Sequence, residues 1–435
     1  MKMRKEKDAL GEIEVPAESY GGSFYTRAKA NFKISTLQAY PSFSEGLCNI
    51  KIAAAKINPL EKKVKDAILQ AGEEFLTGKF DRDFDLDIYQ AGAGTPFNMN
   101  LNEILANRAN EILGGKKGEY KFAHPNDHVN MSQSSNDVIP TAIRLGALMD
   151  LVKFSLALKN LIKSFEKKEK TFVKVWKCGR THLQDAVPVT LGQEFSGYKE
   201  ALISCEKQIK NAREDLLELG IGGTAIGSGI NTPKDFSKKM CVELSKIYAV
   251  KLRPAKNLFQ KTNSMNSFLH LSSAMRSLAV ELLRISNDLR MMASGPVAGF
   301  NEVILPEVEP GSSIMPGKVN PSIPECMSMI CIQVIGLDHS ISLACQQGQF
   351  ELNWHTPLIM TDLLHQIEIL GNGMKMFSDH CIDGLKANEK SMLEKLNAST
   401  CFATAYAPKI GYKEVARLVK ESLEKGIPFN QIFKI

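Results

Sequence analysis

Four long segments with helical periodicity constrain the fold of this chain more than any other feature of its sequence. In each segment, apolar residues recur three and four positions apart, the spacing that places side chains on one face of an α-helix. The segments begin at about Asn136, Thr190, Ser264 and just after Pro321. Strand signals are weak and confined to short pieces, so we expect a mainly α fold.

The first long segment carries apolar residues on more than one face. Leu145, Met149, Phe154 and Leu158 lie off its main apolar stripe. A helix that is apolar all round is buried in the middle of a helical bundle. One chain offers too little partner surface for this, so the pattern predicts that several copies assemble through the bundle.

Composition argues against several classes of function. The 435 residues carry a formal net charge of +6 that is spread along the chain, so nucleic-acid binding is not favoured. We see no apolar run of membrane-spanning length and no signal-peptide core at the N-terminus. The nine cysteines are scattered, which favours reduced thiols in a cytoplasmic protein. Length alone suggests two or three domains.

The loop between the third and fourth helical segments combines unusual chemical groups. Residues 311–321 (GSSIMPGKVNP) hold two serine hydroxyls, one cation and one amide. The glycines let backbone N–H groups approach a ligand closely, and the prolines limit the freedom of the loop. Lys318 and Asn320 are able to hold an anion, and a neighbouring serine is able to take or give a proton. The loop therefore predicts an anion site with a proton carrier.

Polar residues also cluster at four places before this loop. The clusters are residues 92–103, 124–137, 179–185 and 220–229. Ser134, Ser135 and Asn136 fit a simple cap of the helix that follows. A capped helix N-terminus also presents free N–H groups to an anion, so both interpretations hold together. His182 fits either a buried core histidine or, with its polar neighbours, a site residue.

Metal and nucleotide sites fit these clusters less well. His124 and His128 could bind a metal, but Pro125 breaks the helical spacing and no third ligand is nearby. Residues 220–225 formally match G-x-G-x-x-G/A, yet they follow a helix rather than a strand. Val319 stands where a phosphate-binding P-loop requires serine or threonine. We therefore expect neither kind of site.

Taken together, the clusters resemble the active-site regions of the aspartase/fumarase superfamily, lyases that split C–N or C–O bonds to release fumarate. GSSIMPGKVNP is the motif most specific for the superfamily. The stretches QAGAGTPFNMNLNE, HPNDHVN and GRTHLQDAVP narrow the resemblance to aspartases and class II fumarases. The resemblance covers nearly the whole chain. It implies a mainly α fold whose central long-helix bundle forms a multi-helix core in a homotetramer, with active sites shared between subunits.

The resemblance also implies a domain order and a set of partners. We expect a mixed, mostly helical domain at residues 1–136, a helical bundle at 137–390, and a short helical domain at 391–435 that is truncated relative to the family. The substrate would be a small dicarboxylate, with no nucleic acid or membrane as partner. No cofactor would be required, and a divalent cation would act only as an activator.

Residue roles follow from the same resemblance. The catalytic residues would be Ser312, the base that removes the Cβ proton, and His182. Glu325 would support His182 by a hydrogen bond that sets its charge state. The expected substrate ligands are Thr95, Ser134, Ser135, Thr181 and His182 for the β-carboxylate, Lys318 and Asn320 for the α-carboxylate, and Asn136 for the amino group.

The choice of branch depends on few residues. Ala93, the KGEY at residues 117–120 and Gly348 with Gln349 resemble aspartases, whereas His124 and Ser135 resemble fumarases. Because Ala93 lies inside the expected carboxylate pocket, we expect an aspartate ammonia-lyase that converts L-aspartate through an enediolate to fumarate and ammonia.

Three alternatives stay open at this stage. They are a class II fumarase, an ammonia-lyase acting on a related aspartate derivative, and an inactive oligomeric structural protein. Four residues depart from both branches and leave the exact substrate open: Val297, Trp354, His355 and Ala407.

Overall fold

The computed structural model describes residues 2–433 of the chain, and these are mainly helical. The predicted fold class is therefore confirmed. The helices are α1 (Ser23–Asn31), α2 (Pro41–Ile57), α3 (Lys62–Leu76), α4 (Thr95–Ile112), α5 (Ser135–Thr171), α6 (Leu191–Glu214), α7 (Phe236–Tyr248), α8 (Leu258–Asn263), α9 (Asn266–Met292), α10 (Ser322–Gln346), α11 (Thr356–Phe377), α12 (Glu389–Ala398), α13 (Ala407–Ile410), α14 (Tyr412–Lys425) and α15 (Phe429–Ile432).

Strands are short and pair only locally. They are β1 (Met3–Asp8), β2 (Gly11–Pro16), β3 (Trp176–Thr181), β4 (Gln184–Thr190), β5 (Glu218–Leu219), β6 (Arg253–Pro254), β7 (Val303–Ile304) and β8 (Lys386–Ala387). In residues 2–433 they form two-stranded sheets, of which only β5 with β6 is parallel. Sheets of this size bury little apolar surface, so the helices must supply the core.

The four predicted long segments correspond to α5, α6, α9 and α10. In α5, the off-stripe residues Leu145, Phe154 and Leu158 are buried, so the helix is packed on more than one face. The main apolar stripe is buried only in part, because Val152 and Leu156 are 70% and 61% exposed. Pro140 lies inside α5, where it removes one backbone N–H donor from the helix.

Contacts between residues divide the chain into two compact units. The first unit contains the residues up to Lys153, together with Gln208–Met275 and Gly336–Glu368. The second contains Phe154–Lys207, Arg276–Ile335 and the described residues from Ile369 onward. Both units combine segments that are remote in sequence, and the three consecutive domain ranges stay a prediction.

In the first unit, α2 packs closely against the N-terminal part of α5. A Cβ atom added at Gly46 would lie 2.9 Å from the carbonyl oxygen of Ala142, so only glycine permits this approach. Helix α9 is tied to α5 because the fully buried Arg144 donates to Ser267 Oγ over 2.8 Å. These contacts hold the first turns of α5 in place.

In the second unit, aromatic and polar pairs connect the long helices. The rings of Phe165 in α5 and Phe195 in α6 lie 5.7 Å apart, and the Tyr198 hydroxyl in α6 donates to Asp288 in α9 over 3.0 Å. The C-terminal segment has a small apolar core of its own around Phe429.

Helix α10 changes one expectation from the sequence. By length and composition alone, the 25 residues Ser322–Gln346 are long and apolar enough to cross a membrane, so the prediction of no apolar run of that length is wrong. A core helix of a globular protein passes the same test, which makes this weak evidence for a membrane span.

Candidate functional site

Thr95 stands at the N-terminus of α4, directly after a tight turn formed by residues 92–94. Ala93 and Gly94 have positive φ angles of 59° and 68°, which bring the chain abruptly into the helix. A Cβ atom at Gly94 would lie 3.1 Å from Ile139 of α5. The turn before Thr95 therefore packs against the beginning of α5.

The N-terminus of α5 carries the Ser134–Ser135–Asn136 motif and is capped as the sequence predicted. The backbone N–H of Asn136 donates to Ser134 Oγ over 3.2 Å, and the backbone N–H of Ser134 donates to Asp137 Oδ1 over 2.9 Å. Asn98 of α4 donates to Ser135 Oγ over 3.1 Å. The structure thus brings the starts of α4 and α5 together, with their positive dipole ends adjacent.

Asp137 connects this N-terminus to the glycine-rich cluster at residues 220–229. Its Oδ2 accepts the backbone N–H groups of Gly222 and Thr224, each over 2.9 Å. Burial raises the pKa of Asp137 to about 6, against the pull of these N–H donors. The side-chain amide of Asn136 donates to the carbonyl oxygen of Ala225 over 2.7 Å. The cluster therefore supports the α5 N-terminus structurally and does not form a dinucleotide loop.

A fully buried lysine lies beneath the same N-terminus. Lys51 of α2 donates to the side-chain oxygens of Asn98, Asn130 and Gln133 over 2.7, 2.9 and 3.0 Å. Burial lowers the pKa of Lys51 to about 7. Lys51 is not among the site residues predicted from the sequence. The signal available was a lone cation between Ile50 and Ile52 in an otherwise apolar stretch.

His124 and His128 use ring nitrogens to hold their own loop. Nδ1 of His124 accepts from the backbone N–H groups of Asn126 and Asp127 over 3.2 and 3.3 Å. Nδ1 of His128 accepts from the backbone N–H of His124 over 3.0 Å. The two nitrogens are therefore occupied by the local backbone.

Thr181 and His182 lie at the tip of the β3–β4 hairpin in the second unit. His182 and Leu183 form its two-residue loop with positive φ angles of 54° and 60°. Such angles are unfavourable for residues other than glycine, asparagine and aspartate, and strain of this kind concentrates at functional sites. His182 is exposed, so it is not a buried core histidine.

His182 also lines a cavity of about 330 Å³ together with Arg180, Tyr198, Asp288 and Phe300, among others. Below the hairpin tip, the fully buried carboxylate of Glu302 lies 2.7 Å from Arg180 and 2.7 Å from Lys177. Burial opposes the charge of Glu302, but the two cations hold its pKa below the usual range. This ion cluster anchors the strand that presents Thr181 and His182.

The loop at residues 311–321 is organised around Ser312. The Ser312 Oγ accepts from the backbone N–H groups of Ile314 and Met315 over 3.2 and 3.0 Å. The Asn320 side-chain amide donates to the carbonyl oxygen of Gly311 over 2.6 Å, which closes the loop. Glycine is required at 311 because a Cβ atom there would collide with the carbonyl oxygen of Lys318.

A cavity of about 570 Å³ is lined by residues 307–312 and 315–319, including Ser312 and Lys318. Glu325 lies one turn into α10, with Oε1 3.9 Å from Arg290. Within residues 2–433 the structure pairs Glu325 with Arg290 and records no bond to His182. The proposed support of His182 by Glu325 stays a prediction.

The predicted site residues are thus distributed over both units. Thr95, Ser134, Ser135 and Asn136 belong to the first unit. Thr181, His182, Ser312, Lys318, Asn320 and Glu325 belong to the second.

Comparison with known proteins identifies the family of this chain. The family model described as "Lyase" matches residues 11–336. A class II fumarate hydratase of Campylobacter jejuni is 43% identical over 99% of this chain and 94% of its own length. An aspartate ammonia-lyase of Bacillus subtilis is 42% identical over 97% of this chain and 90% of its own length. The crystal structure of a class II fumarase from Schistosoma mansoni matches with a TM-score of 0.96 and 38% sequence identity. The match covers 99% of this chain and 95% of that chain.

These comparisons overturn the expectation of an aspartate ammonia-lyase. Several relatives at 41–43% identity are class II fumarate hydratases, as is the solved structure from S. mansoni. The expectation depended on Ala93, which is 4% exposed and held in a turn against other residues of the chain. The chain belongs to the lyase family, within the aspartase/fumarase superfamily.

Proposed function

We propose that this protein is a class II fumarate hydratase, which interconverts L-malate with fumarate and water. The observation that carries the proposal is the geometry of Ser312, whose Oγ receives two backbone N–H donors beside Lys318. The relatives named as class II fumarate hydratases support the choice of water over ammonia.

Ser312 would act as the base. A serine hydroxyl is a poor base in water, so its alkoxide needs donors that are in place before the reaction. The N–H groups of Ile314 and Met315 already point at Oγ, which lowers the cost of placing negative charge there. In the direction of elimination, Ser312 takes the Cβ proton of malate and negative charge builds on the adjacent carboxylate. The C–O bond then breaks as the leaving hydroxyl takes a proton from solvent, which releases fumarate and water, and Ser312 returns its own proton to solvent.

The start of α5 would bind the carboxylate on which this charge builds. Ser134 and Ser135 present hydroxyls at the positive end of a 37-residue helix, and Thr95 stands at the start of α4. A helix N-terminus and hydroxyl donors stabilise an anion best where water is excluded. Thr181 and His182 would bind the same carboxylate in the assembled tetramer, while Asn136 would bind the hydroxyl group that leaves.

Lys318 and Asn320 would bind the second carboxylate. Asn320 uses one amide proton to close the loop, which leaves its other amide proton available for a ligand. Lys318 supplies the positive charge and is exposed on the wall of the loop cavity. We propose no required cofactor, and a divalent cation would act as an activator only.

We also propose that the protein works as a homotetramer with active sites shared between subunits, in the cytoplasm. Helix α10 supports assembly, because only 28% of its most apolar stretch is buried within the chain. Met329 and Ile332, one helical turn apart, are 66% and 61% exposed. Exposed apolar surface of this kind marks protein interfaces. All nine cysteines are free, which suits a reducing compartment.

One assay tests the proposed reaction. Ultraviolet absorbance of fumarate is followed with L-malate and then with L-aspartate as the sole substrate. We expect fumarate from malate and none from aspartate; fumarate from aspartate alone, or from neither, overturns the proposal.

Ser312→Ala tests the proposed base. We expect folding and assembly to persist while turnover is nearly abolished, whereas Ser196→Ala, on the surface of α6, serves as the control with normal activity. Normal turnover by the Ser312 variant removes Ser312 from the role.

A further inference from the structure

The polarity of the hydrogen bonds around Lys51 is fixed by chemistry. In its protonated form, Lys51 has three N–H donors and no acceptor, so each amide that meets it must present its oxygen. Asn98, Asn130 and Gln133 all do so, at 2.7 to 3.0 Å. Each of the three ammonium protons of Lys51 is thus bound by one amide oxygen, which fixes the orientation of these side chains around the cation.

This polarity determines which way the amide of Asn98 faces. Because its oxygen is bound to Lys51, its NH₂ group must point away, and it donates to Ser135 Oγ over 3.1 Å. The Asn130 amide is oriented in the same sense, donating to the carbonyl oxygen of Gln133 over 3.3 Å. The cation thus sets the direction of every amide around it.

The consequence reaches the hydroxyl of Ser135. Its oxygen already accepts a proton from Asn98, so its own O–H is left to donate elsewhere. Within residues 2–433 the structure pairs this O–H with no acceptor, and Ser135 is 9% exposed at the start of α5. The Ser135 O–H is therefore available to donate a hydrogen bond to an anionic ligand.

We infer that Lys51 is a positioning residue of the carboxylate pocket, which acts through Asn98 to orient the Ser135 hydroxyl as a donor to a substrate carboxylate. The inference rests on the proposed role of Ser135 as a carboxylate ligand. Lys51 itself touches no substrate, since it is fully buried under the network. Its positive charge also lies on the side of Asn98 away from Ser135, where it polarises the amide towards stronger donation.

The test is a double-mutant cycle on ligand binding. The probe is succinate, which has two carboxylates but no double bond to hydrate, and its Kd is measured by calorimetry on the full-length protein. Lys51→Met and Ser135→Ala are each expected to raise the Kd by about 10-fold or more, the range for a hydrogen bond to a charged group. Because both changes remove the same donor, the double variant should match Ser135→Ala alone.

Controls separate this role from a structural one. Lys56→Met, on the exposed side of α2, should leave the Kd unchanged. Lys318→Met removes a different carboxylate ligand, so its loss should multiply with that of Lys51→Met. The inference is overturned if the fold-increases in Kd caused by Lys51→Met and Ser135→Ala multiply in the double variant. It is also overturned if the Lys51→Met variant binds succinate as tightly as the wild type does.

A second variant covers the case in which Lys51→Met does not fold. Asn98→Asp keeps an oxygen for Lys51 but loses the NH₂ group, so Ser135 must turn its proton towards the new carboxylate. We expect Asn98→Asp to raise the Kd for succinate, and we expect this increase to be largely absent when Ser135 is already alanine. An equal increase in the Ser135→Ala background would assign the effect to the new charge and overturn the inference. If the wild type does not hydrate fumarate, only the proposed reaction is overturned, because the succinate-binding cycle does not depend on turnover.

Discussion

The backbone N–H of Ala93 donates to the carbonyl oxygen of Trp354 over 2.9 Å. A Cβ atom at the neighbouring Gly92 would lie 2.8 Å from Trp354 Cβ, so tryptophan packs directly on this turn. These contacts with Trp354 hold the turn before Thr95 in place. Residue 93 has a positive φ and is buried, so packing restricts which side chain it carries.

We therefore expect Ala93→Ser to leave the reaction unchanged. An added hydroxyl in the turn should alter kcat/KM for L-malate by less than about tenfold, the worth of one hydrogen bond. Neither protein should release fumarate from L-aspartate, as followed by ultraviolet absorbance. A variant whose preference moves between the two substrates would show that residue 93 does choose the reaction.

Gly92→Ala should destabilise the protein and reduce activity. The new methyl group would press on Trp354, and overpacking of this kind costs roughly 1–3 kcal/mol. Chemical denaturation measures the free energy of unfolding, and the malate assay measures the effect on Thr95. Ala91→Ser, at the exposed neighbouring position, is the control and should behave as wild type. Equal stabilities for both variants would contradict the close approach of Trp354.

Glu302→Gln should weaken the hairpin that carries Thr181 and His182. The change removes the buried counter-charge of Arg180, while Lys177 keeps Glu194 at 2.8 Å, and the loss of one partner of a buried ion pair costs about 3–5 kcal/mol. Thermal unfolding and the malate assay should both show a loss. Glu281→Gln, which breaks a surface pair with Arg284, should change little. Normal stability of the Glu302 variant would show that the ion cluster is dispensable.

Glu74 should contribute to stability at neutral pH but not in strong acid. Its hydrogen bonds to Arg108 in particular lower the pKa of Glu74 from 4.5 to about 2. A lowered pKa means that the stabilisation is fully present above about pH 4.5 and is lost as the pH falls towards 2. Glu74→Gln should therefore cost on the order of 1 kcal/mol at pH 7, since the pair is partly exposed.

The measurement is the free energy of unfolding of both proteins from pH 7 to pH 2. Their difference should be constant at neutral pH and shrink below about pH 4.5. A difference that stays the same down to pH 2 would mean that the ion pair with Arg108 does not cause it.

Ile332→Glu should dissociate the assembly. A charge on the exposed apolar face of α10 would have to be buried in the proposed tetramer, which is costly without a partner. Light scattering of the purified protein measures the mass in solution. Leu423→Glu, at a 70% exposed position on α14, places the same charge on the surface of the small C-terminal helix and should keep the wild-type mass. An unchanged mass for the Ile332 variant would exclude this face from the interface.

The sequence by itself determined the helices and the chemistry of the loop. The spacing of apolar residues in α5, α6, α9 and α10 is a local property, because side chains three and four positions apart share a helix face whatever the rest of the chain does. The loop around Ser312 is also local, since its donors come from residues 314 and 315. The N-terminal cap of α5 was readable for the same reason.

Tertiary structure alone decided which remote residues meet. Lys51 finds its partners 47, 79 and 82 positions along the chain, and Ala93 meets Trp354 across a still longer separation. Hydrogen bonds between such residues leave no periodic pattern in the sequence, because they depend on how the helices pack. For this reason the family could be recognised from motifs, whereas the weight placed on Ala93 was misplaced and Lys51 was overlooked.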